Sequence, residues 1–147
     1  MKILLSIDGT DFSRAAVEEC CRIIAAPAET SIKIVSVYEV VEPMDISISP
    51  EFSRELETSA HQKAKEFADE AAARIREQFP NINLTIEAVN GAPDKILIEE
   101  AEAWHPDLIV IAPRGRSFWS RTVFGSVTDV LVHQAPCSVL VARKAKK

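Results

Sequence analysis

Gly115, Gly125 and Ser126 stand on one stretch, IAPRGRSFWSRTVFGS, that runs from Ile111 to Ser126. Arg114, Arg116 and Arg121 accompany them. These are the residue types that hold a phosphate. Glycine lets backbone N–H groups come close and accepts positive φ. A helix-like pattern begins at Gly125-Ser126, and the start of a helix offers unpaired N–H groups and a dipole that favour an anion. Ser126 adds a hydroxyl, and the arginines add charge. A second candidate is Asp8, in SIDGT at the end of the first apolar run. Each residue also has a plainer role open to it. Ser126 with Asp129 three residues on reads as a capping box. Asp8-Gly9 reads as a turn that leads into a helix. Loop arginines are commonly solvated, and Phe118-Trp119 suits packing on the domain or a partner better than stacking on a base.

Other chemistries lack their residues. No G-x-x-x-x-G-K-[ST] is present, so the loop is not a P-loop. No G-x-G-x-x-G follows the first strand, and no G-x-S-x-G elbow occurs. The three cysteines, Cys20, Cys21 and Cys137, form no Cys-x-x-Cys and share no ligand spacing with His61, His105 or His133. They read as reduced thiols in a cytoplasmic protein, with at least one of Cys20 and Cys21 in the core. The histidines read as surface or capping residues.

The elements that must position these groups follow from hydrophobic period. Val, Ile and Leu crowd into strands expected at Lys2–Asp8, Ile32–Tyr38, Leu84–Val89, Asp107–Ala112 and Ser138–Ala142. The first and fourth are almost wholly apolar, as in strands covered on both faces, whereas the third alternates and suits an edge. Helices are expected at Phe12–Ala25, Pro50–Phe79, Pro93–Trp104 and Ser126–His133. In the longest, Phe52, Leu56, Ala60, Ala64, Phe67, Ala71, Ile75 and Phe79 make one apolar stripe. Glu39–Ser49 reads as an irregular loop. Alternating strands and helices imply one parallel sheet with helices on both faces, a Rossmann-like α/β fold. Ligands in such sheets sit beyond the carboxyl ends of the strands, so Asp8 and the glycine loop share a crevice if their strands are neighbours.

The chain's 147 residues suit one domain over residues 1–147, with a basic tail at 143–147 expected to be solvated and flexible. A net charge of −5 argues against nucleic acid as a partner. No apolar run approaches the length of a membrane span, and no leader segment is expected.

ILLSIDGTDFSRAA near the start, GAPDKILIEEAEAWHPDLIVIAPRGRSFWSRTVFGSVTDVLVHQAPCSVLVAR in the second half and, within that, HQAPCSVLVAR together resemble the universal stress protein family. The resemblance implies an open five-stranded sheet in the order 3-2-1-4-5. It also implies a homodimer paired through the final strand, Ser138, Val139, Leu140, Val141 and Ala142. One branch of that family binds ATP through G-x-x-G, nine residues, then G-[ST]. This chain matches at Gly115, Gly125 and Ser126 and departs at the first glycine, where Ala112 stands, followed by Pro113. Carried over by position, the nucleotide would meet Ser6, Ile7, Asp8, Val37, Ala112, Arg114, Gly115, Gly125, Ser126 and Val127. The implied cofactor is ATP or a related adenine nucleotide, with Asp8 as the contact to an accompanying Mg2+. The implied function is a cytoplasmic, dimeric stress-response or signalling module, at most a slow ATPase, that acts on a protein partner the sequence does not name. The alternative is a dimeric interaction protein of the same family with a vestigial crevice, which Ala112 favours.

Overall fold

Five runs of Val, Ile and Leu line up in parallel in the computed structural model, which describes residues 1–40, 47–113 and 126–144. The elements in chain order are β1 (Lys2–Ile7), α1 (Asp11–Ile23), β2 (Ser31–Tyr38), α2 (Pro50–Gln78), β3 (Asn83–Asn90), α3 (Pro93–Trp104), β4 (Leu108–Ile111), α4 (Ser126–Gln134) and β5 (Ser138–Val141). A short 3-10 turn at Pro27–Glu29 leads into β2. The sheet order is β3-β2-β1-β4-β5, so β1 and β4 are neighbours, with Leu4 opposite Ile109. The crossovers place helices on both faces, as parallel strands require.

Each face of the sheet builds its own core. On one, Ile3, Leu5, Ile7, Ile32 and Ile34 meet α1 and α2 through Ala16, Cys20, Ala68 and Ile75. On the other, Leu4, Val35, Val37, Ile109 and Ile111 meet α3 and α4 through Leu97, Ala101 and Leu131. The interior strands β1 and β4 are almost wholly buried, and the alternating β3 lies at the edge, as its pattern implies. A charged side chain sits beside this packing, in addition to the buried hydroxyl residues Ser13, Thr30, Ser36 and Thr128. The Lys33 ammonium, on β2, pairs with Glu100 of α3 and, at 3.0 Å, with Glu87 of β3. Burial pushes its pKa down, but the two carboxylates more than reverse that, so the net shift is upward.

Local chemistry sets the ends. Thr10 caps α1, its hydroxyl accepting from the Ser13 N–H. Pro93 opens α3, where a missing N–H costs nothing. His105 closes it in the left-handed region at φ 53°, the capping role expected of it. Asp107 stands just before β4 and grips β1: its carboxylate accepts from the Lys2 N–H at 2.7 Å, and its own N–H donates to the Lys2 carbonyl at 2.8 Å.

Two expectations need correction. The apolar stripe of α2 is buried only from Ala64 onward; Phe52 is 47% exposed, and Leu56 and Ala60 are half-buried. The period of a helix marks its apolar side but not how far the sheet beneath extends. Ser126 is the first residue of α4, inside the helix, whereas the capping box expects it to be the cap.

Candidate functional site

Parallel strands that alternate with helices bring the carboxyl ends of the strands and the first turns of the helices to one side of the sheet. A crevice opens there at β1 and β4. It is lined by Ser6, Ile7 and Asp8 from the end of β1, Val37 from β2, and Ile111 and Ala112 from β4. Ser13 of α1, Pro93 of α3 and Ser126, Val127 and Thr128 of α4 complete it.

The apolar strand ends form the floor: Ile7, Val37 and Ile111 are all less than a tenth exposed. Hydroxyls stand around it on Ser6, Ser13, Ser126 and Thr128. The Ser13 hydroxyl donates to the Thr10 carbonyl at 2.8 Å, and Thr128 is buried. The wall residues Ser13, Pro93 and Ser126–Thr128 belong to the first turns of three helices, whose N–H ends and dipoles favour negative charge. Pro93 is brought there by its own neighbourhood, since the Gly91 N–H donates to the Tyr38 carbonyl at 2.9 Å and ties the β3–α3 turn to the end of β2.

Asp8 shapes the entrance. Its Oδ1 accepts from the Thr10 N–H at 3.0 Å and from the Thr10 hydroxyl at 2.6 Å. This Asx turn carries the chain through Gly9, at φ +78°, into the cap of α1. The turn expected at Asp8-Gly9 and the crevice role implied for Asp8 are therefore compatible in one residue.

Seven residues named from the sequence come together: Ser6, Ile7, Asp8, Val37, Ala112, Ser126 and Val127. Arg114, Gly115 and Gly125 lie outside the described residues, as do Arg116, Arg121, Phe118-Trp119, the 41–46 part of the irregular loop and the last three residues of the tail. Sequence reasoning missed Ser13, Pro93, Ile111 and Thr128. Position could have found Ile111, which closes its strand, and Pro93, which opens its helix. Ser13 and Thr128 are buried polar residues in amphipathic helices, and only the closed fold turns them toward the crevice.

The residues present fit an adenylate: an apolar floor for a base, hydroxyls and Asp8 for a ribose, and the start of α4 for phosphate. A cation has less to hold it. Among the described residues no group of three His, Cys, Asp or Glu side chains comes together. The Ala112 methyl lines the crevice while it also packs against the core beneath α1 and α2. None of the described helices is long and apolar enough to cross a membrane.

Comparison with known proteins agrees with this geometry. The family model described as "Universal stress protein family" matches residues 1–143. A universal stress protein of Synechocystis is 26% identical over 152 aligned positions, covering 97% of each chain. The solved universal stress protein UspA of Lactobacillus plantarum superposes with a TM-score of 0.71 at 27% identity, covering 97% of each chain. Two more distant structures show the same fold. One is a universal stress protein in complex with cAMP (19% identity, TM-score 0.68, 99% of this chain and 98% of that one). The other is an Arabidopsis thaliana family member with AMP bound (17% identity, TM-score 0.62, 99% and 92%).

Proposed function

We propose that this chain, which belongs to the universal stress protein family, is an adenine-nucleotide-binding module that holds its ligand in the crevice between β1 and β4. The observation that carries the reading is convergence. Residues that the sequence and the family resemblance name, from the ends of β1, β2 and β4 and the start of α4, line one crevice at the strand ends where open α/β sheets take ligands. The AMP and cAMP bound to the two distant relatives support the ligand class.

In this reading the base lies on Val37 and Ile111, Asp8 and Ser6 face the ribose, and the first turn of α4 receives phosphate. Arg114, Gly115 and Gly125 would complete the phosphate grip. The chain's own residues bind and orient. In this reading the module senses ATP or AMP and is at most a slow ATPase. Its thiols are free and suit the reducing cytoplasm. Titration calorimetry with AMP, ATP and cAMP, and with GMP as the control, tests the reading. Saturable heat with the adenylates at micromolar to millimolar concentration supports it; no heat with any of them contradicts it.

A homodimer through β5 is part of the same proposal. β5 closes one side of the sheet, and beyond it no further strand pairs among the described residues. A second copy would satisfy that edge across a two-fold axis. Sedimentation equilibrium should return twice the chain mass, and a monomer at tens of micromolar would count against the pairing. The reading of a vestigial crevice draws on one observation, the Ala112 methyl at its wall, and the same calorimetry decides it.

A further inference from the structure

Glycine is the only residue that fits between the Asp8 turn and α2. A Cβ added to Gly9 would stand 2.4–2.5 Å from Cε2, Cδ2 and Cζ of the Phe67 ring. The glycine's α-hydrogen on that side therefore points at the ring. The alanines Ala64, Ala68 and Ala71 let α2 lie close to its neighbours, and Phe67 reaches out from among them to the turn. A shallow groove behind the turn is lined by Thr10, Ser13, Arg14, Val17 and Phe67. Ser13 and Ile7 line both this groove and the crevice. The Asp8–Thr10 turn is thus a thin wall with the crevice on one side and Phe67 on the other.

We infer that Phe67 is a positioning residue for the nucleotide crevice: its ring backs Gly9 and so fixes the Asx turn that aims Asp8 and starts α1. The inference rests on the nucleotide-binding reading for its consequence, not for its geometry. The turn is tied forward to α1 through Thr10 and Ser13, and on its other side the Phe67 ring lies against Gly9. Gly9 is exposed and held at φ +78°, and a two-residue Asx turn on its own is a weak restraint. The half-buried ring packs against the core of this face, and that packing fixes the turn, since a packed core yields little. Movement of α2 at Phe67 then reaches the ligand through Asp8, although α2 supplies no crevice residue among those described.

Phe67→Leu keeps an apolar side chain and removes the ring. NMR of the ligand-free variant reads the turn directly. Loss of the ring current should shift the Gly9 α-protons, and the Ser13 amide, which donates to Thr10, should exchange faster. AMP affinity by calorimetry should fall about tenfold in the wild-type background and not fall further in an Asp8→Ala background, because both changes disable the same contact. Unmoved Gly9 protons, or an equal loss of affinity in both backgrounds, would overturn the inference; an additive loss is what a merely structural role gives. If the wild-type protein binds no AMP, the functional reading fails, and the Gly9 and Ser13 signals still decide whether Phe67 holds the turn. Should Phe67→Leu fold poorly, Gly9→Ala displaces the same contact from the other side and must shift the Ser13 amide exchange in the same direction.

Discussion

Gly9→Ala should destabilise the fold by about 2–5 kcal/mol, a large effect for one added methyl at an exposed position. Two costs combine. The residue sits at φ +78°, where an L side chain costs roughly 1–2 kcal/mol. The methyl would also stand 2.4 Å from the half-buried Phe67 ring, so the ring must shift where it packs against the core, and overpacking of that kind costs about 1–3 kcal/mol. Urea unfolding followed by circular dichroism is the assay. With the usual slope for a small domain, the midpoint should drop by about 1–2 M and the slope should not change. The two costs separate in a Phe67→Leu background. There the clash is relieved and the backbone cost stays, so Gly9→Ala should cost only about 1–2 kcal/mol. A loss below about 0.5 kcal/mol in the wild-type background, or the same loss in both backgrounds, would refute the reasoning.

Other residues carry consequences that simple experiments check. Ala112→Gly should tighten ATP binding several-fold by removing a methyl from the crevice wall, while it lowers stability by about 0.5–1 kcal/mol through backbone freedom; unchanged affinity would mean the methyl is no obstacle. Lys33→Met leaves Glu100 and Glu87 facing each other without their cation and should cost about 1–3 kcal/mol, less than at a fully buried pair because Glu87 is 44% exposed; a neutral or stabilising result in urea would show that the carboxylates find other partners. Burial, and then the neighbouring Cys21, pushes the Cys20 thiol up to about 12 from 9.0. The unfolded chain therefore releases this proton first as pH rises, so the contribution of Cys20 to stability is whole below pH 9 and drains away between 9 and 12. Between pH 8 and pH 10 it should amount to about 1 kcal/mol, and Cys20→Ala should lose most of that dependence. An identical pH slope in the variant would contradict the assignment.

The elements that read well from sequence are those whose signals are local. α3 was legible from end to end because proline opens it and the apolar spacing of Leu97 and Ala101 fixes its inner face. The central places of β1 and β4 follow from their unbroken apolar runs, and the edge place of β3 from its alternation. The order of the strands is a different matter. It came from family resemblance, since nothing local to β1 says that its neighbour is β4. The same division runs through the site. Asp8 and Ser126 could be named because they stand at the ends of elements that face one side of a parallel sheet, whereas Val37 and Ala112 came from the family resemblance. Thr128 and Ser13 could not, because a polar residue within an amphipathic helix looks the same whether it faces water or a crevice. Phe67 reads as one more member of an apolar stripe, and only its contact with a glycine far away in sequence sets it apart.

The most direct test of the account is to ask what the protein already carries. The chain is purified without added nucleotide and denatured, and the released small molecules are separated by anion exchange with detection at 260 nm. The account predicts an adenine nucleotide in a substantial fraction of chains, lost when Asp8→Ala and Ser126→Ala are combined. An empty preparation that also gives no heat with AMP, ATP or cAMP would contradict it.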